Sequence, residues 1–284
     1  MDSFLFALNA VLPIILTVAV GYFLKRIGLI GSDLAKGGNK LVFKVFLPCL
    51  LFLNVYKIDN LSAVGYGFII YAVVAVLLIF AIALPLVILL TKNNPRRGAL
   101  LQGTFRSNYA LIGIPLAISI YGDMGGAVAS LLSAVSIPLY NVLAVISLSI
   151  FTGGGKPNFK KIGLGILKNP LIIGVALVML GAQFEFSAIP GMKKELIFGV
   201  MARIIVVPLI TISIACLIPS FNGAHIAALF ALFATPVAVS SVPMAQETGN
   251  DASLAGQLVV WTTFLSAFTL FGFIFVLRLI GVLV

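Results

Sequence analysis

Apolar positions along this chain neither alternate nor recur at helical spacing; they run on without interruption. Residues 65–91 hold no charge and end at Lys92, and similar runs stand at about residues 4–24, 38–57, 98–121, 127–151, 170–187, 196–218, 224–247 and 253–280, nine in all. A helix needs about 20 apolar residues to cross the hydrocarbon core, whereas an outer-membrane strand shows only about 10 alternating ones. The pattern therefore predicts an all-α polytopic membrane protein of about nine visible spans.

The segments between the runs set the topology. Basic loops at Lys25–Lys44, Lys92–Arg97 and Lys156–Lys168 alternate with loops poor in Lys and Arg near residues 58–64 and 122–126. Lys and Arg beside a span resist translocation, so the N-terminus is expected outside and residues 153–161 in the cytoplasm. That stretch, Gly153-Gly154-Gly155-Lys156-Pro157-Asn158-Phe159-Lys160-Lys161, is a polar, Gly-rich linker between two halves. The first run is preceded by Asp2 and followed by Lys25-Arg26, the flanks of an uncleaved span rather than of a signal peptide.

Composition sharpens the solvent. The 284 residues are 61% hydrophobic and 9% charged, with a mean hydropathy of +1.21, where soluble domains carry roughly 25% charged residues. The net charge of +10 lies in short loop clusters, which express topology and exclude a nucleic-acid face. Cys49 and Cys216 sit inside apolar runs as packing residues. His225, the single histidine, stands at a span end, where a structural role is expected. No metal-ligand spacing and no enzyme signature occurs, so neither a cofactor nor catalysis is expected.

The halves resemble each other. Ser107-Asn108-Tyr109-Ala110-Leu111-Ile112-Gly113-Ile114-Pro115, then Tyr121-Gly122-Asp123 and a span with Pro138 and Asn141, is matched by Thr235-Pro236-Val237-Ala238-Val239-Ser240-Ser241-Val242-Pro243, then Gly249-Asn250-Asp251 and a span with Ser266 and Thr269. The separation of Asn108 from Pro115 equals that of Pro236 from Pro243, which points to a duplicated unit. Gly113-Ile114-Pro115 and Ser240-Ser241-Val242-Pro243 fall near the middle of their spans. A proline there removes a backbone hydrogen bond, and non-helical backbone at membrane depth survives only where protein or a water-filled cavity satisfies it. Paired breaks in two repeats point to a transporter's binding site, and a pair of simple proline kinks is the alternative. The candidate substrate-binding residues are Asn108, Tyr109, Gly113, Ile114, Pro115, Asn141, Ser240, Ser241, Pro243, Gln246 and Glu247. Arg106 fits a binding role and a snorkelling interfacial role equally, and Arg203 has Glu195, Glu247 or an interface as partners.

Leu12-Pro13-Ile14, Gly21-Tyr22, Leu41-Val42-Phe43, Leu47-Pro48, Asn169-Pro170-Leu171-Ile172 and the stretch from Pro236 to Thr262-Thr263-Phe264-Leu265-Ser266 resemble the auxin efflux carrier family of membrane transporters. The resemblance implies ten spans in two inverted repeats of five, broken helices crossing at the substrate site, and elevator-like alternating access. On that plan residues 1–151 are the first repeat, with scaffold spans in 1–57 and transport spans in 65–151. Residues 152–168 are the linker, and 169–284 are the second repeat, with a shortened scaffold part in 169–194 and transport spans in 195–284. Bacterial members are associated with organic anions such as malate and plant members with auxin; the substrate itself is not carried over, and a small organic anion, a carboxylate, moved across the bacterial inner membrane is the expectation. A channel for small anions is the alternative, and an intramembrane enzyme a remote one. The partners expected are the organic anion and the lipid bilayer, with no nucleic acid; a homodimer through the scaffold spans is allowed. One departure stands out, because residues 169–190 offer room for one crossing where the family plan needs two. A deletion of roughly 30 residues between Leu171 and Gly181 would account for it; otherwise residues 169–194 must make an extra passage or a re-entrant hairpin, and an unconnected or sharply rebuilt stretch is expected around 171–185.

Overall fold

The computed structural model describes residues 65–152 and 186–283, together with parts of the stretch 12–38 and residues 181 and 184. The expected span at 38–57, the linker at 153–161, and nearly all of the expected span at 170–187 lie outside the described residues. Within them the chain is helical, and four helical stretches are long and apolar enough to cross a membrane: Tyr66–Leu90, Tyr109–Phe151, Ser187–Cys216 and Ala252–Leu279.

Helix α1 (Tyr66–Leu90) has 25 residues, about 37 Å of rod against a hydrocarbon core of about 30 Å, so it spans with some tilt. One stripe, Phe68, Ala72, Ala75, Val76, Ala83 and Val87, is buried. Ile70, Val74, Leu78, Ile82 and Leu89 point outward. In water that surface would be an aggregation site, whereas in a bilayer it is the solvated face.

Helix α2 (Asn94–Phe105) follows after three residues. The Asn93 side chain accepts from the Arg96 N–H at 3.1 Å and Pro95 occupies the first turn, where its missing N–H costs nothing. Residues 98–105 are all buried. The helix stops at Arg106, whose backbone is extended. A π-helical turn, Tyr109–Gly113, leads into α3 (Ile114–Thr152), which is bent sharply at Tyr121 and Gly122.

After a 3₁₀ turn (Phe186–Met192), α4 (Lys193–Met201), a π-helical turn (Ala202–Val206) and α5 (Val207–Cys216) form one rod. Helix α6 (Gly223–Ala234) has 12 residues, as α2 does, and is buried almost throughout. A box closes its start, with the Asn222 side chain accepting from the His225 N–H and His225 Nδ1 from the Asn222 N–H. Extended backbone at Thr235 ends it. Helices α7 (Ser241–Glu247) and α8 (Ala252–Leu279) complete the chain, with the Asp251 carboxylate capping α8. Gly122 and Gly249, which close the two inner half-helices, both take positive φ, 61° and 71°.

Contacts assign the ends. Arg96 at the start of α2 pairs with Glu195 at the start of α4 and with Asp251 at the start of α8. The basic clusters Lys92–Arg97 and Lys193–Lys194 thus share one end of the molecule. Helix α3 finishes there too, since the Asn250 amide donates to the Leu148 carbonyl and Arg97 lies over the Phe151 ring. At the other end, Phe68 near the start of α1 packs on Phe221 and His225, and Gly223 packs on Tyr121 at the bend in α3. Helix α3 ends where α4 begins.

Candidate functional site

Two unwound stretches meet at the centre. Ser107 and Val237 pair as an isolated antiparallel bridge. In it the Asn108 N–H donates to the Pro236 carbonyl at 2.8 Å and the Ala238 N–H to the Arg106 carbonyl at 3.4 Å. Backbone groups freed by each break are thereby satisfied by the other, which is how unwound chain survives away from water.

The breaks do not fall at Pro115 and Pro243; the second contains Pro236 and reaches the expected stretch only at Ser240. The unwound residues are 106–108 and 235–240, whereas Pro115 and Pro243 lie in the helices that follow. Pro115 has no N–H for the Leu111 carbonyl and crowds it. The π-helical turn just ahead, in which the Ile114 N–H reaches back to Tyr109, absorbs that misfit within a continuous helix. Ala202–Val206 stands in the same relation to Pro208.

At the crossing Arg106 is 4% exposed, which excludes the snorkelling role. Its Nη2 donates to Asn141 Oδ1 at 2.6 Å, and its Nη1 is directed at the sulfur of Met244 from the opposite half. The Gln102 amide points at the same sulfur, at 3.7 Å. Among the described residues no carboxylate pairs with this guanidinium. Around the crossing, buried polar atoms stand without a hydrogen-bond partner among the described residues: Gln102 Oε1, Asn108 Nδ2, Ser241 Oγ and Thr263 Oγ1.

The candidate residues divide accordingly. Asn108, Asn141 and Ser241 lie at or beside the crossing, and Ser240, half-buried, directly precedes α7 without a side-chain capping bond. The Tyr109 hydroxyl donates to the carbonyls of Ala129 (3.0 Å) and Ala228 (3.4 Å) and is spent on holding helices together. Gly113 is a point of close approach: a Cβ there would lie 2.4 Å from the Tyr109 ring and 3.0 Å from the Ala231 carbonyl. Ile114 is half-buried and Pro115 exposed. Pro243 is buried in the first turn of α7, and Gln246 and Glu247 stand at that helix's far end, half-buried.

Arg203 carries more of the crossing than its sequence position reveals. It is fully buried, and neither Glu195, which pairs with Arg96, nor Glu247 is its partner. Its Nη1 donates to the Phe105 carbonyl at 3.1 Å, its Nη2 to the Leu232 carbonyl at 3.1 Å and its Nε to the Thr235 carbonyl at 2.9 Å. Gln102 and Met244 were missed, because neither lies in the segments where the two halves share a pattern with a polar partner beside it; Arg203 stood out in its apolar run, but its carbonyl partners become visible only when the halves are folded together.

A family model described as membrane transport protein matches residues 6–156, a little more than half of the chain. The chain belongs to that family. The resemblance to the auxin efflux carriers is borne out by it. An uncharacterized transporter from Methanocaldococcus jannaschii is 28% identical over 192 residues, which are 64% of this chain and 60% of that relative. The match thus spans about three fifths of the curated relative's length. As a member of the membrane transport protein family, this is a multi-pass membrane protein; the matched region contains α1, α2 and α3 with the first break, and the second break lies beyond it.

Proposed function

We propose that the protein is a secondary transporter that binds a small organic anion, a mono- or dicarboxylate, at the crossing of its two breaks. The observation that carries this reading is Arg106, a buried guanidinium with a neutral amide and a thioether as partners and no counter-ion among the described residues. A charge held at membrane depth is costly enough that function is its default explanation, and a guanidinium fork suits a carboxylate's two oxygens. Orphaned polar atoms on Asn108, Gln102 and Ser241 add the donors and acceptors that orient such a ligand.

An inverted repeat is the architecture that accounts best for the contacts. Helix α1 runs toward the end shared by Arg96, Glu195 and Asp251, while its counterpart, α4 with α5, starts there and runs away. The antiparallel bridge between the breaks has the same sense. On this reading α1 to α8 move as a transport body against scaffold spans and carry the crossing from one side to the other.

The test is uptake of radiolabelled malate into proteoliposomes holding the full chain. Saturable uptake with counterflow, competed by other small carboxylates, is expected. Competition by amino acids or cations in preference to carboxylates would overturn the anion reading, and single-channel currents the carrier reading.

A further inference from the structure

Each half-helix that enters the crossing ends in carbonyls that its own continuation would have bonded. The Phe105 carbonyl loses the Tyr109 N–H because the chain unwinds at Arg106. The Leu232 carbonyl loses its partner because residue 236 is proline and has no N–H. The Thr235 carbonyl loses Val239 in the same way as Phe105. These groups are the negative ends of two helix dipoles brought together inside the protein, an arrangement that repels itself. In transporters with unwound crossings, such carbonyls and half-helix C-termini are where coupling cations bind.

Here all three carbonyls are held by one side chain. The planar guanidinium of Arg203 presents three nitrogens, and each takes one carbonyl at 2.9–3.1 Å, one from α2 and two from α6 and its cap. The Tyr140 hydroxyl adds a longer bond to Leu232 at 3.5 Å. Arg203 reaches this place from the π-helical turn Ala202–Val206, and it is as deeply buried as any residue in the molecule. A guanidinium is charged throughout the physiological pH range, so the positive charge is permanent.

We propose that Arg203 is a tethered cation, a positioning residue that neutralises the two half-helix C-termini where they meet and stands in the place of an inorganic cation, so that the crossing is held together without sodium. The proposal is independent of which solute the protein carries.

The experiment is thermal unfolding of the purified full chain in detergent, a readout that contains no solute and so fails separately from the anion reading. The parent protein should show one Tm in sodium chloride and in choline chloride at equal ionic strength. Arg203→Ala should lower Tm by several degrees, and guanidinium chloride at low millimolar concentration should restore part of the loss by entering the space left beside the three carbonyls. Arg203→Met fills that space without donors and should be lowered and not restored. Arg203→Lys, with one nitrogen for three carbonyls, should fall between parent and Ala. A parent Tm higher in sodium than in choline would overturn the proposal, as would an Ala variant that responds to guanidinium no more than the Met variant does. Should neither neutral variant fold, the sodium comparison on the parent decides together with the Lys variant, which should still fold with a Tm below the parent's; a Lys Tm equal to the parent's would overturn the proposal.

Discussion

Asn108 and Asn141 are both buried amides at the crossing, yet they differ in what they hold. Asn141 bonds Arg106 and the Ile137 carbonyl, whereas Asn108 Nδ2 has no partner. Replacing Asn108 with Leu should therefore weaken malate binding while leaving Tm unchanged. Asn141→Leu should lower both, because it also strips a hydrogen bond to a charged group, about 1.5–3 kcal/mol. Uptake kinetics and detergent melting on the same preparations separate the two; equal losses of stability would contradict the distinction. Gly113 makes a different forecast. Its neighbours are an aromatic ring and a backbone carbonyl, so Gly113→Ala should destabilise by about 1–3 kcal/mol through overpacking, read as a fall in Tm. Asn108, Asn141 and Ser241 were legible from the sequence because polar residues inside apolar runs stand out. Tyr109 was legible as polar but not as structural, since only the fold shows which carbonyls its hydroxyl meets.

Most of the prolines near the breaks stand apart from the unwound residues; Pro236, inside the second break, is the exception. Prolines 115, 208 and 243 mark the regions of irregularity, yet Pro115 and Pro208 are accommodated by wider turns ahead of them and Pro243 sits in the first turn of α7. The unwinding itself falls at residues 106–108 and 235–240, where chain from the other half supplies backbone partners. Sequence alone could not locate it, because the partner that makes unwinding tolerable is far away in the chain. A cysteine pair tests the crossing. Residues facing each other across an antiparallel bridge have Cα atoms about 4.5–5.5 Å apart, within disulfide reach. In a background lacking Cys49 and Cys216, Ser107→Cys with Val237→Cys should cross-link under mild oxidation, whereas Ser107→Cys with Glu247→Cys should not.

Across the whole molecule, the ionic cluster of Arg96, Glu195 and Asp251 makes sidedness testable. Single cysteines at Asn94 and Lys193 should be labelled by an impermeant maleimide from one and the same side of the membrane, and a cysteine at Ser220 from the opposite side. Labelling of Asn94 and Lys193 from different sides would defeat the inverted arrangement. The cluster itself is partly exposed, with side-chain accessibilities of 24% for Arg96 and 20% for Asp251. Removing Arg96 should therefore cost little stability, on the order of 1 kcal/mol or less, and less still at high salt.

Several properties of this protein were decided by sequence before any folding: that its solvent is lipid, that its spans are helical, and that two halves share a pattern. Each of these depends on local quantities, namely run length, charge density and the order of prolines and polar residues, and local quantities survive in one dimension. Tertiary structure alone decided which carbonyls lack partners and which cation answers them. Arg203 looks from the sequence like an anomaly in an apolar run; in the fold it binds the ends of two helices that lie 98 and 29 to 32 residues away. Arg106 likewise takes its thioether partner from 138 residues further along the chain. Those pairings arise where two unwound segments meet at the centre of the protein, so they become definite only once both halves are packed against each other.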